Sequence, residues 1–194
     1  MVAPTPSRVL AEILVHLSRL ANRDTSLTAA QWTTLRYFGH ANRFSRTASA
    51  FASFHGTTRG TASQTIKPLI AENYLQRTRS KKDRRSARFD LTPSGRTVLE
   101  EDPFRVLVSA ITQLPSKATT ELADVLERLV LDVSRANGMA TFGTCKTCFH
   151  LGRGAVTGSH HCHYAGEPLT SDEFHLLCID FTPKSGKGEQ RAAR

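Results

Sequence analysis

The strongest constraint on this chain lies between Thr57 and Arg96, where a segment of helical period leads directly into two β-like runs, LQRTR and ARFDLT, joined by the charged SKKDRRS. That order of periods predicts a helix followed by a β-hairpin. Within the helical part Ala62, Ile66 and Leu69 fall at i, i+4 and i+7 and predict a buried face, while Gly60, Ser63, Gln64 and Lys67 share the opposite one. Such an exposed face suits the major groove of duplex DNA. Gln can pair bidentately with adenine, Ser can serve either base type, and Lys reaches guanine or phosphate. The hairpin carries Arg77, Arg79, Lys81, Lys82, Arg84, Arg85 and Arg88, with Asp83 as its only acid before Asp90. Charges of one sign at this density repel one another unless a polyanion lies beside them. The plainer alternative is a solvated surface hairpin.

These residues resemble a known family. The segment KKDRRSARFDLTPSGR is similar to the wing of MarR-type regulators, with an Asp-x-Arg, a strand ending in Leu-Thr and a Gly that opens the next helix. GTASQTIKPLIAENYL resembles the recognition helix of that family and its exit. In element order the resemblance spans about residues 9 to 136, and it is densest between Gly60 and Gly95. It implies a mainly α fold with a small β-hairpin wing (α+β), forming a winged helix-turn-helix dimer. The recognition helix would then enter the major groove and the wing the minor groove, with Arg85 at the wing tip. Asp83 would orient the tip arginines through charge-assisted hydrogen bonds. Narrow A·T-rich minor grooves attract such an arginine without a base code. Two positions depart from the family pattern. Pro68 predicts a recognition helix that is kinked or shortened, and Asn73 replaces the usual Gly after it, a residue also able to take the left-handed cap conformation.

The remaining chain fits around this unit. Val9 to Ala21 repeats apolar residues at helical spacing after the start signals Pro6 and Ser7; the resemblance assigns this helix to a dimer interface. Thr28 and Gln31 form a capping-box pattern ahead of a helix that buries Trp32, Leu35 and Phe38 and ends near His40 to Asn42. Arg46 to Phe54 reads as the first helix of a helix-turn-helix, followed by the turn HGTTRG. Thr57 and Arg59 stand where the recognition helix begins and are placed to hold phosphate, with Thr61 alongside. A further helix after Thr92 is expected to break or bend at Asp102-Pro103. Leu122, Val125, Leu126, Leu129, Val130 and Val133 then form a long stripe closed by Gly138. One winged helix has too little core to cover this stripe and that of the first helix together, so a two-fold homodimer is expected, with its recognition helices on successive turns of a pseudo-palindromic site.

All four cysteines lie in the last quarter of the 194 residues, as Cys145-x2-Cys148, then thirteen residues to Cys162 and fifteen to Cys178. Where thiols stay reduced, such clustering points to metal rather than to disulfides. A Cys-x2-Cys knuckle turns two thiolates toward one ion, and two more complete a tetrahedron. Zinc is the favoured occupant, because structural zinc needs no special assembly and a neighbouring histidine could substitute for a thiolate. An iron-sulfur cluster is the alternative, with Phe142, Phe149, Phe174 and Phe181 available to shield it. The nearby histidines are expected to face solvent or to surround the ligands. Too few apolar residues remain here to fold the segment unaided, so metal would supply folding energy.

Three parts follow: 1–138 as a DNA-binding and dimerisation domain, 139–182 as a Cys-rich metal-binding module, and 183–194 as a disordered basic tail. A net charge of +9 favours a nucleic-acid partner. No run is apolar enough to span a bilayer, and the N-terminus lacks a signal-peptide profile, so a cytoplasmic, nucleoid-associated protein without a membrane partner is expected. No catalytic constellation can be argued from spacing, and an enzyme is not expected. The leading function is a sequence-specific regulator of transcription, a repressor, stabilised or switched by its metal site and open to a small-molecule effector. The competing functions are a redox or thiol protein, and a zinc-bearing adaptor that binds protein. Against the redox reading, Cys-x2-Cys is not embedded in a βαβ pattern.

Overall fold

The structure, a computed structural model, describes residues 5–22, 26–79, 87–154 and 159–184. Helix α1 (Pro6–Leu20) starts at Thr5, whose hydroxyl accepts from the amide of Arg8. Helix α2 (Ala29–His40) opens with the expected capping box, in which Thr28 and Gln31 satisfy each other's backbone amides. Then come α3 (Ala48–Phe54) and α4 (Arg59–Ala71), and the hairpin β1 (Leu75–Arg79) and β2 (Ala87–Leu91). The two strands pair antiparallel, with Leu75 opposite Leu91 and Arg79 opposite Ala87.

The core lies between α2, α3, α4 and the hairpin. Trp32, Leu35, Phe38, Phe51, Ile66, Leu69 and Leu75 are buried there, and Tyr37, Phe38 and Phe51 meet at ring separations of 5.2 to 5.8 Å. Ala62, Ile66 and Leu69 are the buried face of α4, as their spacing required. Helix α4 runs through Pro68 as far as Ala71, so it keeps 13 residues despite the proline. Its exit is a left-handed cap: Asn73 has φ 57°, and the amide of Tyr74 reaches back to the carbonyl of Leu69 at 2.8 Å.

Helix α5 (Pro93–Glu100) begins at Thr92, whose buried hydroxyl donates to the carbonyls of Asn73 and Tyr74 and accepts from the amide of Gly95. Position 95 must be glycine, because a Cβ there would overlap the carbonyl oxygen of Tyr74. The chain breaks at Asp102-Pro103 and resumes as α6 (Arg105–Thr112) and α7 (Ser116–Ala136). Arg36 fixes that break. Its guanidinium makes two 2.7 Å bonds to Asp102 and lies 3.4 Å from the ring centre of Phe104. Gly138, at φ 62°, closes α7 with the amide of Met139 bonded to the carbonyl of Ser134.

Among the described residues of 143–178 there are five short strands that periodicity did not reveal, each being two or three residues long. β3 (Gly143–Thr144) pairs with β7 (Leu177–Cys178), and β4 (Leu151–Arg153), β5 (His160–Cys162) and β6 (Glu167–Leu169) form a second sheet. The protein is thus mainly α, with small sheets in the wing and in this last segment. Among the described residues, no helix is long and apolar enough to cross a membrane.

Candidate functional site

Helix α4 presents one polar surface. Gly60, Gln64 and Lys67 are exposed along it, and Ser63 is half-buried, its hydroxyl donating to the carbonyl of Arg59 at 2.8 Å. That bond spends the Ser63 proton and leaves its oxygen to accept. Arg59 is exposed at the helix start. Thr61 is exposed as well, but its hydroxyl pairs with that of Thr58 at 3.0 Å. The backbone amide of Thr57 donates to the carbonyl of Ala52, so what Thr57 offers a phosphate is its side chain. Thr58, not singled out from sequence, caps the helix by accepting from the amide of Thr61. Its signal was a threonine three residues ahead of an amide that needs a partner.

The wing is fastened to the helix-turn-helix rather than hanging free. Arg88 on β2 bridges to Thr47, and the amide of Phe89 bonds to the carbonyl of Arg46. Arg46 also pairs with Asp90 at 2.9 Å, and Asp90 accepts from Thr78 at 3.0 Å. One hairpin carboxylate therefore orients an arginine that leads into α3. Arg77 is exposed on β1. The side chain of Arg79 and the tip residues Lys81, Lys82, Asp83, Arg84 and Arg85 lie outside the described residues.

A cleft of about 300 Å³ opens between the start of α2, the end of α3 and α4. Ala29, Phe51, His55, Thr57, Thr61 and Thr65 are among the residues lining it. Among the described residues Nε2 of His55 is buried without a hydrogen-bond partner, and burial lowers the pKa of this imidazole from its ordinary value.

The cysteines gather against the same core. All four are free thiols; Cys145, Cys148 and Cys178 are buried and Cys162 is half-buried. Cys145 opens a 3-10 turn that returns the amide of Cys148 to the Cys145 carbonyl at 3.1 Å, the compact geometry a Cys-x2-Cys knuckle needs. Cys178 lies opposite Gly143 on the β3–β7 ladder and shares a small apolar cluster with Cys148 and Phe181. The amide of Ala165 approaches Cys162 Sγ at 3.5 Å. A hydrogen bond from Cys178 pulls the Cys145 thiol below its ordinary pKa, and that bond together with burial pushes Cys178 up. Among the described residues, no three His, Cys, Asp or Glu side chains stand as a ready-set metal cage. The donor chemistry nevertheless fits a thiophilic ion: four reduced sulfurs, three of them buried, with amide donors directed at two.

The phenylalanines divide. Phe181 packs with Cys148 and Cys178, but Phe142 meets Phe54 of α3 at a tilt with ring centres 4.4 Å apart, Phe174 meets His160 at 4.4 Å, and Phe149 is exposed. His150 bonds to Thr182, and His163 lies over Gly152. Sequence reasoning also missed the residues that dock this segment on the helix-turn-helix: Asn42, Arg43 and Ser45, in the turn between α2 and α3. The guanidinium of Arg43 donates to both carboxylate oxygens of Glu173, at 2.8 and 2.7 Å, and to the carbonyl of Pro168. Asn42-x-x-Ser45 reads locally as a turn. Its partners lie more than a hundred residues away, where no spacing rule reaches.

Residues 25–86, from ahead of α2 into the wing, match the model of the MarR family. No curated protein matches the chain. Among solved structures, a MarR transcriptional regulator from Methanosarcina mazei Go1 is 18% identical with a TM-score of 0.54, covering 67% of this chain and 96% of its own. The transcriptional regulator SlyA is 21% identical with a TM-score of 0.53, covering 69% and 96%. A MepR–DNA complex from S. aureus is 21% identical with a TM-score of 0.51, covering 67% and 99%. Each likeness takes in almost the whole of the other protein and establishes the fold that the two share.

Proposed function

We propose that the protein is a MarR-type regulator of transcription that binds double-stranded DNA as a homodimer and represses the genes it controls. The observation that carries this reading is α4. Its buried face is spent on the core, and its outer face offers Gln64, Lys67 and the Ser63 oxygen beside a fastened wing. The MepR structure of the same fold is a complex with DNA. In this reading α4 enters the major groove, Arg59 and Thr57 hold phosphates at its start, and the basic wing follows the minor groove.

The homodimer rests on apolar surface. Of the large apolar side chains exposed among the described residues, all but Phe149 and Tyr164 lie on α1, on α7 or between residues 106 and 114. Leu10 is 62% exposed, Val106 71% and Val133 57%. Faces of this breadth on helices at both ends of the domain fit a second copy of the chain, which would also set two recognition helices side by side. A small-molecule effector would have a site in the cleft beside α4, where the unpartnered Nε2 of His55 could meet it.

Cys145, Cys148, Cys162 and Cys178 would hold one zinc ion, which supplies the folding energy that an apolar cluster of three residues cannot. Phe149 is exposed, and Phe142 and Phe174 have their ring partners in Phe54 and His160; this favours zinc over an iron-sulfur cluster, which needs a dry apolar shell.

The test is binding of a labelled duplex from the DNA upstream of the protein's own gene, read by fluorescence anisotropy against salt. Saturable binding that outcompetes bulk DNA at physiological salt is expected, with one dimer per site. Gln64→Ala should lose the preference for that duplex by about 1–3 kcal/mol while keeping salt-dependent affinity for any DNA. Equal affinity of the wild type for all duplexes would sink the regulator reading.

A further inference from the structure

The turn between α2 and α3 is addressed from the cysteine module at three points. Asn42 is completely buried, and its side chain works in two directions. Its Oδ1 accepts from the amides of Phe44 at 3.1 Å and Ser45 at 3.0 Å, which fixes the turn that launches α3. Its Nδ2 points at Cys145 Sγ at 3.8 Å. The backbone amide of the same residue donates to the carbonyl of Leu177, next to Cys178, at 2.8 Å. Ser45, equally buried, accepts from the amide of Ile179 at 2.9 Å, just beyond Cys178. Arg43, between them, holds Glu173. The far end of α3 is gripped too, by the tilted ring contact of Phe142 with Phe54. Both ends of the helix that supports α4 are therefore held by residues adjoining the cysteines.

We infer that Asn42 couples metal occupancy of the four-cysteine site to the helix-turn-helix, so that a zinc-class ion held by the thiolates locks α3 and α4 in the DNA-binding arrangement and its loss loosens them. This inference rests on the reading of the cysteines as a metal site and of α4 as a DNA reader. On binding, the thiol protons pass to solvent and the sulfurs become acceptors only. An amide N–H donated to such a sulfur is then unopposed by any S–H, and the amide plane that also carries Oδ1 is fixed. A buried carboxamide with one end on a sulfur ligand and the other on two turn amides has no separate way to satisfy either. Asn42 is a positioning residue, acting on DNA only through the turn.

The experiment uses the full-length protein, zinc-loaded or chelated, and measures zinc content alongside affinity for the duplex described above. Wild type should bind one zinc per chain and lose about tenfold in DNA affinity on chelation. Asn42→Ser keeps a hydroxyl acceptor for the turn but no longer reaches Cys145. It should bind the same zinc, yet show less than about a twofold difference between the two states. A wild-type ratio in this variant overturns the coupling and leaves the metal and DNA readings standing. Wild type that takes up no zinc removes the metal reading and the coupling together, whereas zinc uptake without DNA binding in either state removes the regulator reading and the coupling. Should the variant not fold, hydrogen exchange at the amides of Phe44 and Ser45 in the wild type decides. About tenfold greater protection with zinc is expected, and equal protection overturns the proposal.

Discussion

Helices α2 to α4 and the cysteine module are built from different materials. The helices bury Trp32, Leu35, Phe38, Ile66 and Leu69 in one aromatic-rich core, whereas the module gathers Cys148, Cys178 and Phe181 into its cluster and leans on hydrogen bonds to Asn42, Arg43 and Ser45. Apolar burial is non-directional and local to the domain that supplies it. Sulfur and carboxamide contacts are directional and depend on the state of their partners. The stability of the first region thus rests on packing, and that of the second on the state of its hydrogen-bond partners.

The sharpest way to break this contrast is at Phe38. Phe38→Ala should cost about 3–5 kcal/mol in denaturant unfolding, because a fully buried ring leaves a cavity. The loss should be the same with zinc or with chelator. A strong metal dependence would mean that the two regions do not differ as argued. Next is Glu173→Ala, which leaves the half-buried Arg43 without its carboxylate and should cost about 1–3 kcal/mol. Limited proteolysis should find the loss in residues 167–178, with α2 to α4 still protected. A smaller effect is expected from Thr58→Ala. Loss of this cap should destabilise by about 1 kcal/mol and raise hydrogen exchange at the amide of Thr61, with a matching drop in DNA affinity.

The smallest effect concerns His55, whose ring lies against Phe51 and Phe54 at 4.6 and 4.7 Å. Burial lowers its folded pKa, so the unfolded chain binds the proton more readily. Its contribution is whole above the unfolded value near 6.5 and declines as pH falls from there through the folded value. A modest drop in melting temperature between neutral pH and pH of about 5.5 should appear in the wild type and flatten in His55→Phe. An unchanged slope in that variant would assign the pH dependence elsewhere.

How much of this was legible in the sequence follows the range of the forces involved. The buried face of α4, the capping box at Thr28, the left-handed Asn73, the break at Asp102-Pro103 and the closing Gly138 are all set by residues within a turn or two of one another. Periodicity and cap chemistry record such local constraints directly. The length of α4 through Pro68 was not legible. Proline's local cost there is met by the burial of Ile66 and Leu69 on either side, which is a property of packing. Nor were the short strands of residues 143–178, which are too brief for an alternating pattern to register.

By itself, then, the sequence determined a winged helix-turn-helix, its basic hairpin and a cysteine-rich end, since each is written in neighbouring residues. Only the tertiary structure decided that the cysteine-rich end sits on the turn ahead of α3, with Asn42 facing Cys145 and Arg43 facing Glu173. Those pairs are separated by more than a hundred residues. Contacts at that range are selected by the chain's global packing, because no local propensity acts over such a distance.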